Sequence, residues 1–247
     1  MAMRLLNRLI VEEDYYYSTL TKCLATTAVY CSVIDAHAKS GSDLSRQAEK
    51  VLSLMFERYR AKQGLNVAKP NTVAFNATLD AYAKMTLSDT SKKNSGRRLP
   101  PKSTDEIVLL SYTDIAERAE QLLNWMHVID GVEPDTISYN AVLVCLTRAG
   151  LASRAEALHN EMETLYKSGN HPNLCPNTHT FTTVCNAWAR SGENGAAERA
   201  SAILKRMIQL AETNPGCSPN VKVSDQMMAM IGKSNETDLT FFLPENM

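Results

Sequence analysis

Amide, carboxylate and hydroxyl side chains recur at fixed places along this 247-residue sequence. Asn71, Asp135, Asn177 and Asn220 each directly follow a proline. Asn76, Asn140 and Thr182 stand five residues after the first three of these. An Asn amide offers donor and acceptor together, an ionised Asp accepts only, and a Thr hydroxyl supplies one group of either kind. Such side chains can recognise a ligand by its pattern of donors and acceptors. They also cap helices, because Asn or Asp at a helix start accepts the backbone N–H groups there. A cationic set runs in parallel: Lys39, Lys84, Arg148 and Arg190 each lie nine residues after an aromatic. A cation so placed can meet an anion, or sit at a helix C-terminus where the dipole stabilises it by ~0.3–1 kcal/mol.

None of this performs covalent chemistry. Cys23, Cys31, Cys145, Cys175, Cys185 and Cys217 form no CxxC pair, and the five His add no metal-ligand spacing beside them. Phosphate-loop and nucleophile motifs are absent from the sequence, so no catalytic residue, metal, cofactor or small-molecule substrate is expected. Lys plus Arg is 26 and Asp plus Glu is 27, giving a net charge of -1. Any attraction for an anionic partner must therefore come from a local stripe. No apolar run reaches the ~18 residues of a membrane span. A count of 27 Ala against 10 Gly and 9 Pro, with 6% aromatics, favours helices over strands.

Internal repetition supplies the elements that must hold these residues. Four segments share one pattern: VYCSVIDAHAKSG (29–41), AFNATLDAYAKMT (74–86), SYNAVLVCLTRAG (138–150) and TFTTVCNAWARSG (180–192). The second place is always aromatic (Tyr30, Phe75, Tyr139, Phe181), and three of the four segments end on Gly. Apolar residues recur at helical spacing between, predicting an amphipathic helix stopped by Gly. A second block follows each: QAEKVLSLM (47–55), RAEQLLNWM (118–126), RAEALHNEM (154–162) and RASAILKRM (199–207). Matched Ala and Met, seven residues apart, share one helical face in every copy. Asp114-x-x-Glu117 and Ser153-x-x-Glu156 have capping-box spacing. The Pro-Asx pairs close each unit, since proline disfavours helix at the residue before it. Helix pairs of this kind cannot bury their apolar faces alone, so the expected fold is all-α, an α-solenoid of stacked antiparallel helix pairs.

The string P-D-T-I-S-Y-N-A-V-L (134–143) resembles the start of a pentatricopeptide repeat, as does P-N-T-V-A-F-N-A-T-L (70–79). The A-E-x-L-x-x-x-M second helix is similar to that family too. The resemblance implies a right-handed superhelix of helical hairpins with units 27–71, 72–135, 136–177 and 178–220. Residues 1–26 hold the second helix of a truncated repeat, because AMRLLNRL (2–9) aligns on 119–126. Residues 221–247 form a degenerate partial repeat and tail. Unit 72–135 carries a polar, basic insertion, about 86–113, that reads as disordered. The chain is expected to be part of a longer array.

What the resemblance implies about partners is single-stranded RNA, one base per repeat. Its base-reading residues are the fifth and last of each unit: Cys31 with Asn71, Asn76 with Asp135, Asn140 with Asn177, and Thr182 with Asn220. The implied core is 5′-N-U-(C/U)-A-3′. The family's base-flanking place falls on Val73, Ile137 and His179, and its phosphate-contacting cations on Lys39, Lys84, Arg148 and Arg190. The family acts in mitochondrion or plastid on RNA processing, stability, editing or translation. A base stacked and read contributes ~1–3 kcal/mol, so four repeats supply ~4–12 kcal/mol before ordering costs. Micromolar affinity needs about 8 kcal/mol, and four repeats alone should bind weakly. The competing expectation is a tetratricopeptide-like scaffold that binds proteins or peptides in its groove.

Overall fold

The matched small and large apolar places translate directly into packing. The computed structural model describes residues 2–15, 26–39, 45–61, 68–85 and 111–211. Among them run nine α-helices: α1 (Ala2–Tyr15), α2 (Thr27–Lys39), α3 (Ser45–Ala61), α4 (Thr72–Lys84), α5 (Tyr112–Val128), α6 (Thr136–Arg148), α7 (Ala152–Lys167), α8 (Thr178–Ser191) and α9 (Ala196–Ala211). A short 3-10 turn, Pro172–Leu174, precedes α8, and the described residues contain no strand. Fold class is all-α, of the solenoid type built from helix pairs. The chain divides into two compact units, Met1–Cys145 and Leu146–Met247, with the division falling inside α6. The Asn220 site, the partial unit after it and residues 86–110 lie outside the described residues, as do the side chains of Tyr15–Tyr17 and Lys39.

In the first unit α2 packs on α1, α3 and α4, while α4 packs on α3 and α5. First helices thus lie against first helices, and each also covers its own second helix. Tyr30, Phe75 and Tyr139, the repeated aromatics, are buried. So are the matched pairs Ala48/Met55 and Ala119/Met126. Alanine leaves room for a neighbouring helix to approach, and the flexible Met side chain fills what space remains. Phe56 of α3 stacks on Trp125 of α5 with ring centroids 4.7 Å apart. Phe75 meets both edge-on at 5.7 and 5.8 Å, so one aromatic cluster joins α3, α4 and α5. A polar contact joins the same three helices: Glu49 Oε2 accepts from the Tyr82 hydroxyl at 2.6 Å and from Arg118 Nη1 at 2.7 Å. Burial, reinforced by the Glu49 carboxylate, pushes the Tyr82 phenol up, so it stays a donor.

Helix ends follow from local chemistry, with two differences from the sequence expectations. Ser111 caps α5: its hydroxyl accepts from Asp114 N–H and the Asp114 carboxylate accepts from Ser111 N–H. The helix therefore starts one turn before Asp114-x-x-Glu117 and takes in the end of the 86–113 insertion. Asp114 is the acid of the box rather than its cap. Nor does Ser153 cap α7, whose cap place is Leu151 with no side-chain hydrogen bond. Gly150, with φ 72°, already turns the chain there, and Leu151 N–H returns to the Leu146 carbonyl at 3.0 Å. Gly192 ends α8 in the same left-handed conformation, φ 66°.

The second unit packs α8 on α7 and α9. Phe181, Ala155/Met162 and Ala200/Met207 are buried as the repeat requires. One matched place is unusual. His159 stands where the other second helices carry Leu52, Leu123 and Leu204, and it is fully buried with them. Its ring meets Phe181 edge-on at 4.7 Å. Nε2 lies 3.5 Å from Glu163 Oε1, and neither ring nitrogen finds a hydrogen-bond partner among the described residues. Burial pushes the imidazole pKa down to about 4; the Glu163 charge opposes this, and Arg206 and Lys167 add to it. The ring is therefore neutral at physiological pH. Burial raises the Glu163 carboxyl, but hydrogen bonds from Arg206 at 2.9 Å and Lys167 at 3.0 Å outweigh it and hold the group below its usual range.

Two outcomes follow for stability. Met126→Ala should cost about 2–5 kcal/mol in chemical denaturation, whereas Val128→Ala, 81% exposed two residues on, should stay within about 0.5 kcal/mol. The second concerns pH. His159 is held neutral when folded and accepts a proton near pH 6.5 when unfolded, so its contribution is present above that pH and is lost as pH falls towards 4. Between pH 7.5 and 5 the loss should be about 2 kcal/mol. His159→Gln should flatten that part of the stability profile measured by thermal unfolding.

Candidate nucleic-acid interface

Each Pro-Asx turn delivers its Asn or Asp to the head of the next helix. Asn71 Oδ1 accepts from Ala74 N–H at 3.1 Å, Asp135 Oδ1 from Ser138 N–H at 2.9 Å, and Asn177 Oδ1 from Thr180 N–H at 3.1 Å. At α6 and α8 the cap is reciprocal, since Asp135 N–H donates to Ser138 Oγ and Asn177 N–H to Thr180 Oγ1, both at 3.1 Å. The capping reading of these residues is thus realised at all three described turns. A hydrogen bond from Thr72 Oγ1 to the Glu133 carbonyl, 2.9 Å, fastens the turn before α6 to the first residue of α4.

That fastening brings together residues 59 apart in sequence. Asn76 Nδ2 lies 3.1 Å from both carboxylate oxygens of Asp135. Ser138 Oγ donates to Asn76 Oδ1 at 2.6 Å. Chemistry settles the amide's orientation: a carboxylate can only accept, so nitrogen must face Asp135 and oxygen must face Ser138. The equal distances let one N–H bridge both carboxylate oxygens. Asn76 then keeps one further N–H and one acceptor lone pair for a ligand, in a fixed order. On the same helix heads Val73 is 59% exposed and Ile137 62% exposed. Two β-branched apolar side chains held open to solvent flank the amide's place along the chain.

The remaining sequence-predicted residues differ in their surroundings. Asn140 is 8% exposed on α6, and Asn177 caps α8 in the other unit. Thr182 Oγ1 gives its proton to the Thr178 carbonyl at 2.6 Å, so towards a ligand it acts as an acceptor. Cys31 is a half-buried free thiol on α2; burial first, and Asp35 second, push its pKa up and keep it protonated. His179 is exposed. Lys84, Arg148 and Arg190 occupy the last turns of α4, α6 and α8. Lys84 pairs with Asp80 one turn earlier, and that hydrogen bond raises its pKa although both groups are well exposed. Arg190 is exposed and Arg148 half-buried. Ser138 was not among the candidates, although its place three residues after Asp135 carries a capping signal. Asp80, four residues before Lys84, was readable as a helical pair.

Residues 137–165 match the family model of the PPR repeat. This stretch carries a pentatricopeptide repeat. The matched stretch takes in most of α6 and α7, including Asn140, Arg148, Ala155 and Met162. A chloroplastic pentatricopeptide repeat-containing protein of Arabidopsis thaliana is 26% identical over 180 residues, 69% of this chain and 21% of that one. Among solved structures, the pentatricopeptide repeat protein PPR10 in complex with an 18-nt psaJ RNA element is similar in fold, with a TM-score of 0.52 at 17% identity over 84% of this chain. A cysteine-substituted form of PPR10 with the same RNA element gives the same values. This chain covers 21% of the Arabidopsis relative and 22% of PPR10, about a fifth of each.

Because Asp135 both caps α6 and holds Asn76, the two duties should add. Asn71→Ala, which removes a cap alone, should cost about 1 kcal/mol. Asp135→Ala should cost about 2–3 kcal/mol, because the Asn76 amide also loses its acceptor. Urea denaturation of the two variants checks the order.

Proposed function

We propose that this chain binds single-stranded RNA with one base per repeat. The observation that carries the reading is the Asn76–Asp135 pair, its amide fixed in orientation, with Val73 and Ile137 exposed at the heads of the two helices concerned. Two aliphatic side chains suit the faces of a base, and the amide suits its edge. Uracil presents an N–H beside a carbonyl, and the remaining lone pair and N–H of Asn76 complement that order. Cytosine presents the reverse order and would need a flipped amide, which the acceptor-only carboxylate of Asp135 resists. Asn140 with Asn177 is assigned either pyrimidine. Thr182 with Asn220 is assigned adenine, and Cys31 with Asn71 carries no assignment. The target core is 5′-N-U-(C/U)-A-3′.

Phosphate contacts fall to Lys39, Lys84, Arg148 and Arg190, recurring once per unit. Helix C-terminal placement and phosphate contact are compatible, since the dipole holds the cation while its head stays in water. The RNA-bound PPR10 structure supports the reading through shared fold. The chloroplastic relative supports the plastid over the mitochondrion, and a role in RNA processing, stability, editing or translation there. Four repeats give modest affinity, in keeping with a chain that spans about a fifth of these proteins.

Fluorescent RNA oligomers carrying U-(C/U)-A, against scrambled and double-stranded controls, test the proposal. Binding should favour the single-stranded core and weaken with added salt. Asp135→Asn should relax the second base from uracil to either pyrimidine and leave the other bases unaffected. Equal, negligible binding to every oligomer would sink the RNA reading.

A further inference from the structure

Among the described residues, Ser138 is a side chain that hydrogen-bonds both members of the Asn76–Asp135 pair. Its hydroxyl accepts from Asp135 N–H at 3.1 Å and lies 2.6 Å from Asn76 Oδ1 and 3.0 Å from Asp135 Oδ1. A single proton must serve the last two contacts. Two oxygens 2.6 Å apart with no proton between them would repel, so the proton lies towards Asn76. The result is a closed ring: Asp135 N–H to Ser138 Oγ, Ser138 O–H to Asn76 Oδ1, and Asn76 N–H to the Asp135 carboxylate. Reversing the amide would set its carbonyl against the carboxylate, breaking that member of the ring, and would turn the serine proton from Asn76 to Asp135 Oδ1, 3.0 Å away.

We propose that Ser138, the third residue of the repeat that follows, is a specificity-determining positioning residue: it fixes the Asn76 amide so that repeat 72–135 tells uracil from cytosine. This rests on the RNA reading above. Ser138 is buried, and it acts on the base through Asn76 alone. The matched place varies in a way the same logic explains. At the turn before α4 it holds Ala74, whose methyl side chain has no donor, and the fifth residue there, Cys31, is no amide in need of orienting. At the turn before α8 it holds Thr180, whose hydroxyl again accepts from the Asx N–H and lies 3.2 Å from the Asx Oδ1. At Ser138 the hydroxyl therefore adds a third position to the pair of residues that sets the base preference of repeat 72–135.

The test compares full-length wild type, Ser138→Ala and Ser138→Thr on oligomers differing only by U or C at the base facing repeat 72–135. Wild type should favour U. Ser138→Ala should lower the C-to-U ratio of dissociation constants about fivefold, the value of one hydrogen bond, and Ser138→Thr should restore it. A second reading needs no RNA: the Asn76 side-chain amide resonances, assigned through Asn76→Ala, should shift in Ser138→Ala and return in Ser138→Thr. An unchanged ratio with equally weakened binding to both oligomers marks Ser138 as a helix cap only and overturns the proposal, as do unmoved Asn76 resonances. A wild-type ratio of one overturns the base-reading function together with this role, which separates the two failures.

Discussion

A single carboxylate at a helix head holds two repeats in register. Asp135 accepts the N–H of Ser138 and so starts α6, and it accepts the amide of Asn76 and so ties α4 to that start. Proline at 134 makes this possible, because it stops the preceding segment from running on as helix and presents the next residue at a turn. The buried aromatics and the Ala/Met faces bring neighbouring helices close without direction, since apolar burial is insensitive to angle. Polar contacts at the turns then select one arrangement among those the packing allows. The bonds that start α6 and those that hold the Asn76 amide are here one set.

This sharing has a mechanistic consequence. A side chain that reads a ligand usually needs support to keep it from rotating, and that support is commonly distant in sequence. Here the support for Asn76 is the start of the next first helix, α6, so one unit's amide is held by the unit that follows. The exposed Val73 and Ile137 belong to the same logic. They occupy the second place of their helices, where the first turn faces away from the hairpin interior, and burying them would require an additional partner.

The helices were legible because their signals are local and repeated. Tyr30, Phe75, Tyr139 and Phe181 share a place and are all buried, and the Ala and Met columns likewise. Place 159 aligns with Leu52, Leu123 and Leu204 and is buried as they are, but no pattern in the sequence shows a neutral histidine there. Its state depends on Glu163, Lys167, Arg206 and Phe181, drawn from three helices. The cap of α5 was misplaced for a different reason: Asp114-x-x-Glu117 and Ser111-x-x-Asp114 satisfy the same spacing, and only the coordinates distinguish them. Asn76 and Asp135 were paired in advance through the family resemblance. The contact of Ser138 with Asn76 was not legible, because a pairing across 62 positions leaves no periodic trace.

The chain between Met85, where α4 ends, and Ser111, where α5 begins, joins two helices that pack directly on each other. Closing a longer loop costs only a logarithmic increment of entropy, so its length is nearly decoupled from the stability of the hairpin it interrupts. The Asn76–Asp135–Ser138 ring, moreover, is built from the head of α4, the head of α6 and the turn before it. The connection is thus a permissive seam: sequence can accumulate there, or be grafted in, while Asn76, Asp135 and Ser138 keep their bonds. A repeat with such a seam can gain an accessory module without a change in the contacts at its helix heads.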